Sequence, residues 1–156
     1  MTTEAITIAA NVLVKPFEGY AKRLSNGDCK AYPDPGTKGH PYTIGWGCTG
    51  SDITPDTVWT EKKAQEELDK HLLYFAMQVA KLSPSLLKTN PRRYAAIISF
   101  AYNCGVGNYR ISTLKKRVDV SDWEGAQEEI MKWNKAAGRV LAGLTKRRQA
   151  EASLLS

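Results

Sequence analysis

The sequence predicts an α+β chain in which a mostly helical body carries one small β-rich lobe, inserted after the first helix. Three observations predict it. Apolar residues recur at helical spacing before residue 19 and again after residue 59; glycine and proline crowd the stretch between them; and no repeat, low-complexity tract or long linker divides the chain. At 156 residues the chain reads as a single domain, with the β-rich lobe at about 20–58 and the helical lobe formed by 1–19 and 59–156. A domain of that size buries roughly 68–70% of its unfolded surface, enough for a core without staples.

The first helix rests on Ile6, Ala9, Ala10, Leu13 and Phe17, with Thr2 or Thr3 as N-cap and Glu4 in the first turn, and ends near Glu18-Gly19. Phe17 reads as core. Pro16 inside this pattern removes a hydrogen bond to the Val12 carbonyl and predicts a kink or an early last turn. From Tyr20 to Pro55, Gly27, Pro33, Gly36, Gly39, Pro41, Gly45, Gly47 and Gly50 punctuate short aromatic and β-branched runs, the texture of hairpins and irregular loops.

The helical period returns with Ala64, Leu68, Leu72, Phe75, Val79 and Leu82, capped by Thr60 and followed by Pro84. Asn90-Pro91 supplies the next N-cap and first-turn proline, Tyr94, Ile97, Ile98 and Ala101 the apolar face, and Gly105-Val106-Gly107 the stop. Ser121-x-x-Glu124 has capping-box spacing ahead of Trp123, Ala126, Ile130 and Trp133, with Gly138 as terminator. A last helix is expected from about Thr145.

Hydrophobic residues at 42% and charged residues at 24% exclude disordered, collagen-like, coiled-coil and disulfide-scaffold classes. The net charge of +6 favours an anionic partner: nucleic acid, a membrane surface or an acidic polymer. Ala5–Val14 is uncharged but far shorter than the roughly 20 residues of a bilayer span, and Glu4 rather than a basic segment precedes it, so neither membrane insertion nor a cleaved signal peptide is expected. Cys29, Cys48 and Cys104 form an odd set without Cys-x-x-Cys, which favours reduced thiols, and one disulfide with one free thiol stays open. His40 and His71 have no ligand spacing, so no metal is expected.

Two carboxylates stand where a groove can face them: Glu18 at the end of the first helix and Asp34 in Tyr32-Pro33-Asp34-Pro35-Gly36. Taken bare, this pair says little, because Glu18 can cap a helix or pair with Lys22, Asp34 can bond its own turn, and Thr43 can be an ordinary strand residue. Pro41-Tyr42-Thr43-Ile44-Gly45-Trp46-Gly47 adds to it. Together with Phe17-Glu18-Gly19 and Ala31-Tyr32-Pro33-Asp34, it resembles the phage-type lysozymes, the endolysins of glycoside hydrolase family 24. The likeness continues through Phe100-Ala101-Tyr102-Asn103-Cys104-Gly105, Ser112-Thr113-Leu114, Trp133 to Leu144, and Arg147-Arg148-x-Ala150-Glu151, in order over nearly the whole chain.

The resemblance implies a lysozyme-like fold with its active-site cleft between the two lobes. It implies a catalytic set of Glu18, Asp34 and Thr43, substrate contacts at Tyr42, Trp46 and Asn103, no cofactor, and peptidoglycan as substrate. Tyr42 and Trp46 read equally as sugar-stacking or as half-buried strand core, and Asn103 as an acetamido contact or a helix cap. Two departures stand out: Cys48 occupies a position where many relatives carry His, and Pro16 precedes the Phe-Glu-Gly element.

Glycoside cleavage needs a carboxyl that keeps its proton to give to the leaving oxygen, and a carboxylate to stabilise the oxocarbenium-like sugar or activate water. Glu18 is assigned the first role and Asp34 the second, with Thr43 holding the water as the resemblance implies, together with inversion at the anomeric carbon. The resemblance further implies a monomer that waits in the host cytoplasm until a holin opens the membrane. Three rivals are a nucleic-acid-binding module built on Lys115-Lys116-Arg117 and Lys146-Arg147-Arg148, a catalytically dead wall-binding domain, and a lytic transglycosylase. The first lacks any accompanying recognition motif, and retention of Asp34 and Thr43 beside Glu18 argues against the other two.

Overall fold

A computed structural model describes residues 1–34 and 37–156. The chain packs as two compact units, one made of residues 1–13 with 72–156 and the other of residues 14–71.

The larger unit is helical. Its centre is α4 (Pro91–Cys104), where every residue from Tyr94 to Ala101 is buried, against α1 (Thr2–Ile8) on one side and α8 (Ala142–Leu155) on another. A helix buried all round needs apolar or small residues at every position, and Ala95-Ala96-Ile97-Ile98-Ser99-Phe100-Ala101 supplies them. The Asn90 side chain accepts the Arg93 N–H at 2.9 Å and Pro91 opens the helix, as the sequence predicts. The Tyr94 hydroxyl donates to the Ala76 carbonyl at 2.8 Å and Tyr109 pairs with Ser83 at 2.7 Å, so both buried phenols are satisfied.

Three short helices complete this unit: α5 (Val106–Ile111), α6 (Thr113–Asp119) and α7 (Trp123–Ile130). The sequence patterning did not predict α5 or α6, because each is too short for a full hydrophobic period. Gly105, at φ +94, ends α4 and opens α5 directly. The predicted capping box is displaced by one residue: Asp122, not Ser121, accepts the N–H of Gly125, while Ser121 sits at φ +58. The helix stops at Ile130 instead of Gly138, because Lys135–Ala136 and Arg139–Val140 turn back on each other as β5 and β6 around Gly138 at φ +77. The last helix starts three residues earlier than expected, at Ala142.

The smaller unit holds α2 (Lys15–Glu18) and four two-residue strands: β1 (Cys29–Lys30), β2 (Thr43–Ile44), β3 (Cys48–Thr49) and β4 (Val58–Trp59). β1 pairs with β4 and β2 with β3, both antiparallel. Helix α3 (Glu61–Leu82) begins here, with Thr60 Oγ1 accepting the Lys63 N–H at 3.0 Å. Strands this short cannot stand alone, and Ile44, Trp46, Cys48, Ala64 and Leu68 form the core under them.

The first helix departs from its pattern. Thr2 already lies inside α1, so neither Thr2 nor Thr3 caps it. The expected disturbance at Pro16 takes the form of a π-helical stretch, Ala9–Val14, before α2 resumes α geometry. A proline cannot donate to the carbonyl four residues back, and widening to i→i+5 bonding just before it is one way for a helix to absorb that loss. Phe17 is 37% exposed and is not the core residue the spacing predicts. Among the described residues no helix is long and apolar enough to cross a membrane.

Candidate functional site

Glu18 is the last residue of α2, and Gly19 at φ +71 turns the chain away behind it. Its half-buried carboxylate lies against Gly47, where the β2–β3 turn passes so closely that a β-carbon on Gly47 would sit 2.8 Å from Glu18 Oε2. Only glycine gives both the φ of +88 and that clearance.

Thr43 opens the same hairpin. It exchanges two backbone hydrogen bonds with Tyr32, each 2.9 Å, so the segment leading to Asp34 lies directly beside the strand that carries Thr43. Burial raises the pKa of Tyr32, and the nearby charge of Glu18 raises it further. Glu18, Thr43 and the Tyr32–Asp34 segment are therefore drawn into one neighbourhood by the Gly47 turn and the Tyr32–Thr43 ladder.

Asp34 heads a tight turn. Its Oδ2 accepts the Thr37 N–H at 3.1 Å, its N–H donates to the Gly39 carbonyl at 3.0 Å, and its own carbonyl accepts from Lys38 at 2.7 Å. The turn-capping role is thus present, and it fixes the carboxylate in place. Pro35 and Gly36, which the sequence placed in this turn, lie outside the described residues.

Of the three expected substrate contacts, Tyr42 is half-buried and meets His40 edge-on at 5.0 Å between ring centroids. Trp46 is only 7% exposed: it packs 4.8 Å from the Tyr20 ring with the Lys15 ammonium 4.4 Å from its centre, and Lys15 is itself bonded to Gln65. Its indole therefore packs as core of the smaller unit. Asn103 belongs to the helical unit, where it lines a cavity of about 360 Å³ with Cys104, Asn108, Trp133, Lys135 and Leu144.

Sequence reasoning missed His71. Its Nδ1 lies 2.7 Å from the Glu67 carbonyl and its Nε2 3.4 Å from the Thr49 carbonyl, and a hydrogen bond with Cys48 is the largest influence holding its pKa up to about 9, against the opposing effect of burial. Cys48 and His71 stand 23 positions apart in the sequence, and nothing in their spacing links them. Cys29 and Cys48 are buried, Cys104 is half-buried, and none of the three forms a disulfide. Among the described residues no group of three or more His, Cys, Asp or Glu gathers to hold a metal.

Comparison with known proteins places the chain. The family described as phage lysozyme matches residues 17–151. An endolysin of Bacillus phage B103 is 37% identical over 142 residues, 91% of this chain and 50% of that protein. An endolysin of Acyrthosiphon pisum secondary endosymbiont phage 1 is 35% identical over 149 residues, covering 92% of each. The chain spans about half the length of the Bacillus phage relatives it matches. Among solved structures, the muramidase domain of SpmX from Asticcacaulis excentricus superposes with a TM-score of 0.75 at 25% identity, over 97% of this chain and 93% of that one.

Proposed function

Because the chain belongs to the phage lysozyme family, glycoside hydrolase family 24, we propose that it is an endolysin that hydrolyses peptidoglycan at the β-1,4 bond between N-acetylmuramic acid and N-acetylglucosamine. The observation that carries this reading is the seat of Glu18, cleared by Gly47 and set beside the Tyr32–Thr43 ladder that leads into Asp34.

Glu18 gives its proton to the leaving glycosidic oxygen. The Asp34 carboxylate, fixed by the Thr37 N–H, faces the positive charge that builds on the sugar ring and polarises the attacking water, while the Thr43 hydroxyl holds that water. Water attacks the anomeric carbon directly, so the product anomer is inverted. No cofactor or metal takes part. Tyr42 lies on the same segment as Thr43 and meets the sugar, and Asn103, in the helical unit, offers its side chain to a sugar acetamido group. The protein acts as a monomer, accumulates in the host cytoplasm and reaches the wall through a holin-made lesion.

The test is release of reducing muramic ends from permeabilised Gram-negative walls by the protein and by Glu18→Gln, with circular dichroism on both. General acid catalysis contributes about 10²- to 10⁴-fold, so the variant should stay folded and lose at least that order of turnover. Equal release by both would remove Glu18 from the role of acid; anhydro ends in place of reducing ends would make the protein a transglycosylase. Expression without a holin should leave cells intact, and lysis under that condition would refute the release route.

A further inference from the structure

The hairpin that precedes Asp34 carries charge that the reaction does not use. Arg23 pairs with Cys29 across an antiparallel turn, closed by Leu24 N–H to Asp28 at 2.7 Å, and this pairing sets Lys22 opposite Lys30, whose N–H donates to the Lys22 carbonyl at 3.2 Å. Like charges facing each other across a ladder destabilise it. Lys22 is also held at φ +56, in the left-handed region that a residue with a long side chain enters at a cost.

Arg23 has partners: it stacks 4.3 Å above the Tyr20 ring and reaches Glu61 at 3.5 Å. Among the described residues no carboxylate lies within 4 Å of the ammonium group of Lys22 or Lys30, and both side chains are exposed. These cations and Arg23 rim a pocket of about 350 Å³ whose remaining wall, Leu24, Ala31, Tyr32 and Pro33, is largely apolar. Two unanswered cations above an apolar floor are complementary to a ligand with carboxylates spaced by short aliphatic groups.

We propose that this pocket binds the acidic stem peptide of the wall polymer, with Lys22 and Lys30 taking its carboxylates and Leu24, Tyr32 and Pro33 its aliphatic side chains. The occupant follows from continuity. Tyr32 lines the pocket and pairs with Thr43, and Asp34 follows two residues later, so a polymer whose sugar lies at Asp34 and Thr43 brings its attached peptide to the neighbouring pocket. This rests on the peptidoglycan reading above and adds a second recognition element to it.

The experiment compares walls bearing intact stem peptides with glycan strands freed of them by an amidase, using the wild type and the Lys22→Gln/Lys30→Gln double variant. The stripped strands keep one lactyl carboxylate per disaccharide and so control for bulk charge attraction. For two exposed cations the expected effect is a rise in KM of about 5- to 20-fold on peptide-bearing walls, with kcat held and stripped strands cut equally by both proteins. Equal loss on both substrates would mean general attraction only, and no loss on either would mean no site; each overturns the proposal. Direct titration with the free stem peptide, read by amide chemical shifts, is independent of turnover. It should move residues 22–24 and 30–32 in the wild type and not in the variant. A wild type that cuts neither substrate while these shifts persist would sink the hydrolase reading and leave the pocket standing; absent shifts would remove the pocket.

Discussion

Gly47 holds the space that the Glu18 carboxylate fills: a β-carbon there would lie 2.8 Å from Oε2, 3.1 Å from Cδ and 3.4 Å from Cγ. Gly47→Ala therefore pushes the acid out of its seat. Displacing a reacting group by about 1 Å is worth up to 10²-fold in rate, and a side chain at φ +88 adds roughly 1–2 kcal/mol of backbone strain. The expected result is a loss of wall hydrolysis far exceeding the loss in stability; a variant that melts lower yet hydrolyses normally would separate Gly47 from the site.

Asp34 combines a charge with a turn bond, and two substitutions separate them. Asp34→Asn keeps an oxygen for the Thr37 N–H and should leave the melting temperature unchanged while cutting turnover by about 10²-fold or more. Asp34→Ala loses both, and should cost about 1 kcal/mol in addition. Full activity in Asp34→Asn would confine the residue to its turn.

His71 predicts a pH dependence of stability. Its folded pKa of about 9 lies above the ordinary 6.5, chiefly through Cys48 and with help from the Glu67 and Thr49 carbonyls. A raised pKa gives stability that is fully present below pH 6.5 and is lost as the pH climbs through about 9. Denaturant midpoints of the wild type should fall across that window relative to His71→Gln, and parallel curves for the two proteins would show that the ring is not protonated where it sits.

In the helical unit, Glu151 is fully buried, 2.6 Å from Arg148 Nε and 3.5 Å from Arg147 Nε, and accepts from Ser99 at 2.6 Å. Burial pushes its carboxyl up while both guanidinium groups pull it down. Glu151→Ala takes the anion from the buried Arg148 guanidinium, and a loss of about 3–5 kcal/mol in chemical denaturation is expected. A loss below 1 kcal/mol would mean that water or another acid takes over.

The long helices were legible because periodicity and caps agree, as at Thr60 and Asn90. The π-helical stretch was announced only by Pro16, and α5 and α6 only by their stop signal at Gly105-Val106-Gly107, since six or seven residues carry too little pattern. In the site, Glu18, Asp34 and Thr43 could be named from motifs, because each sits in a short contiguous element. The burial of Trp46, the Cys48–His71 bond and the unpaired lysines of the 22–30 hairpin depend on contacts between distant or oppositely facing residues, which no single window contains.

Strands two residues long have a consequence for how the molecule breathes. Each of β1 to β4 contributes only a few ladder bonds near solvent, whereas α4 is covered along eight consecutive residues. Amide protons of Thr43, Ile44, Cys48 and Thr49 should therefore trade with deuterium through frequent small openings, and those of Tyr94 to Ala101 only through global unfolding. The β2–β3 hairpin should then rearrange more readily than α4, and ligand binding beside it should be visible as a slowing of exchange there before anything changes in the helical core.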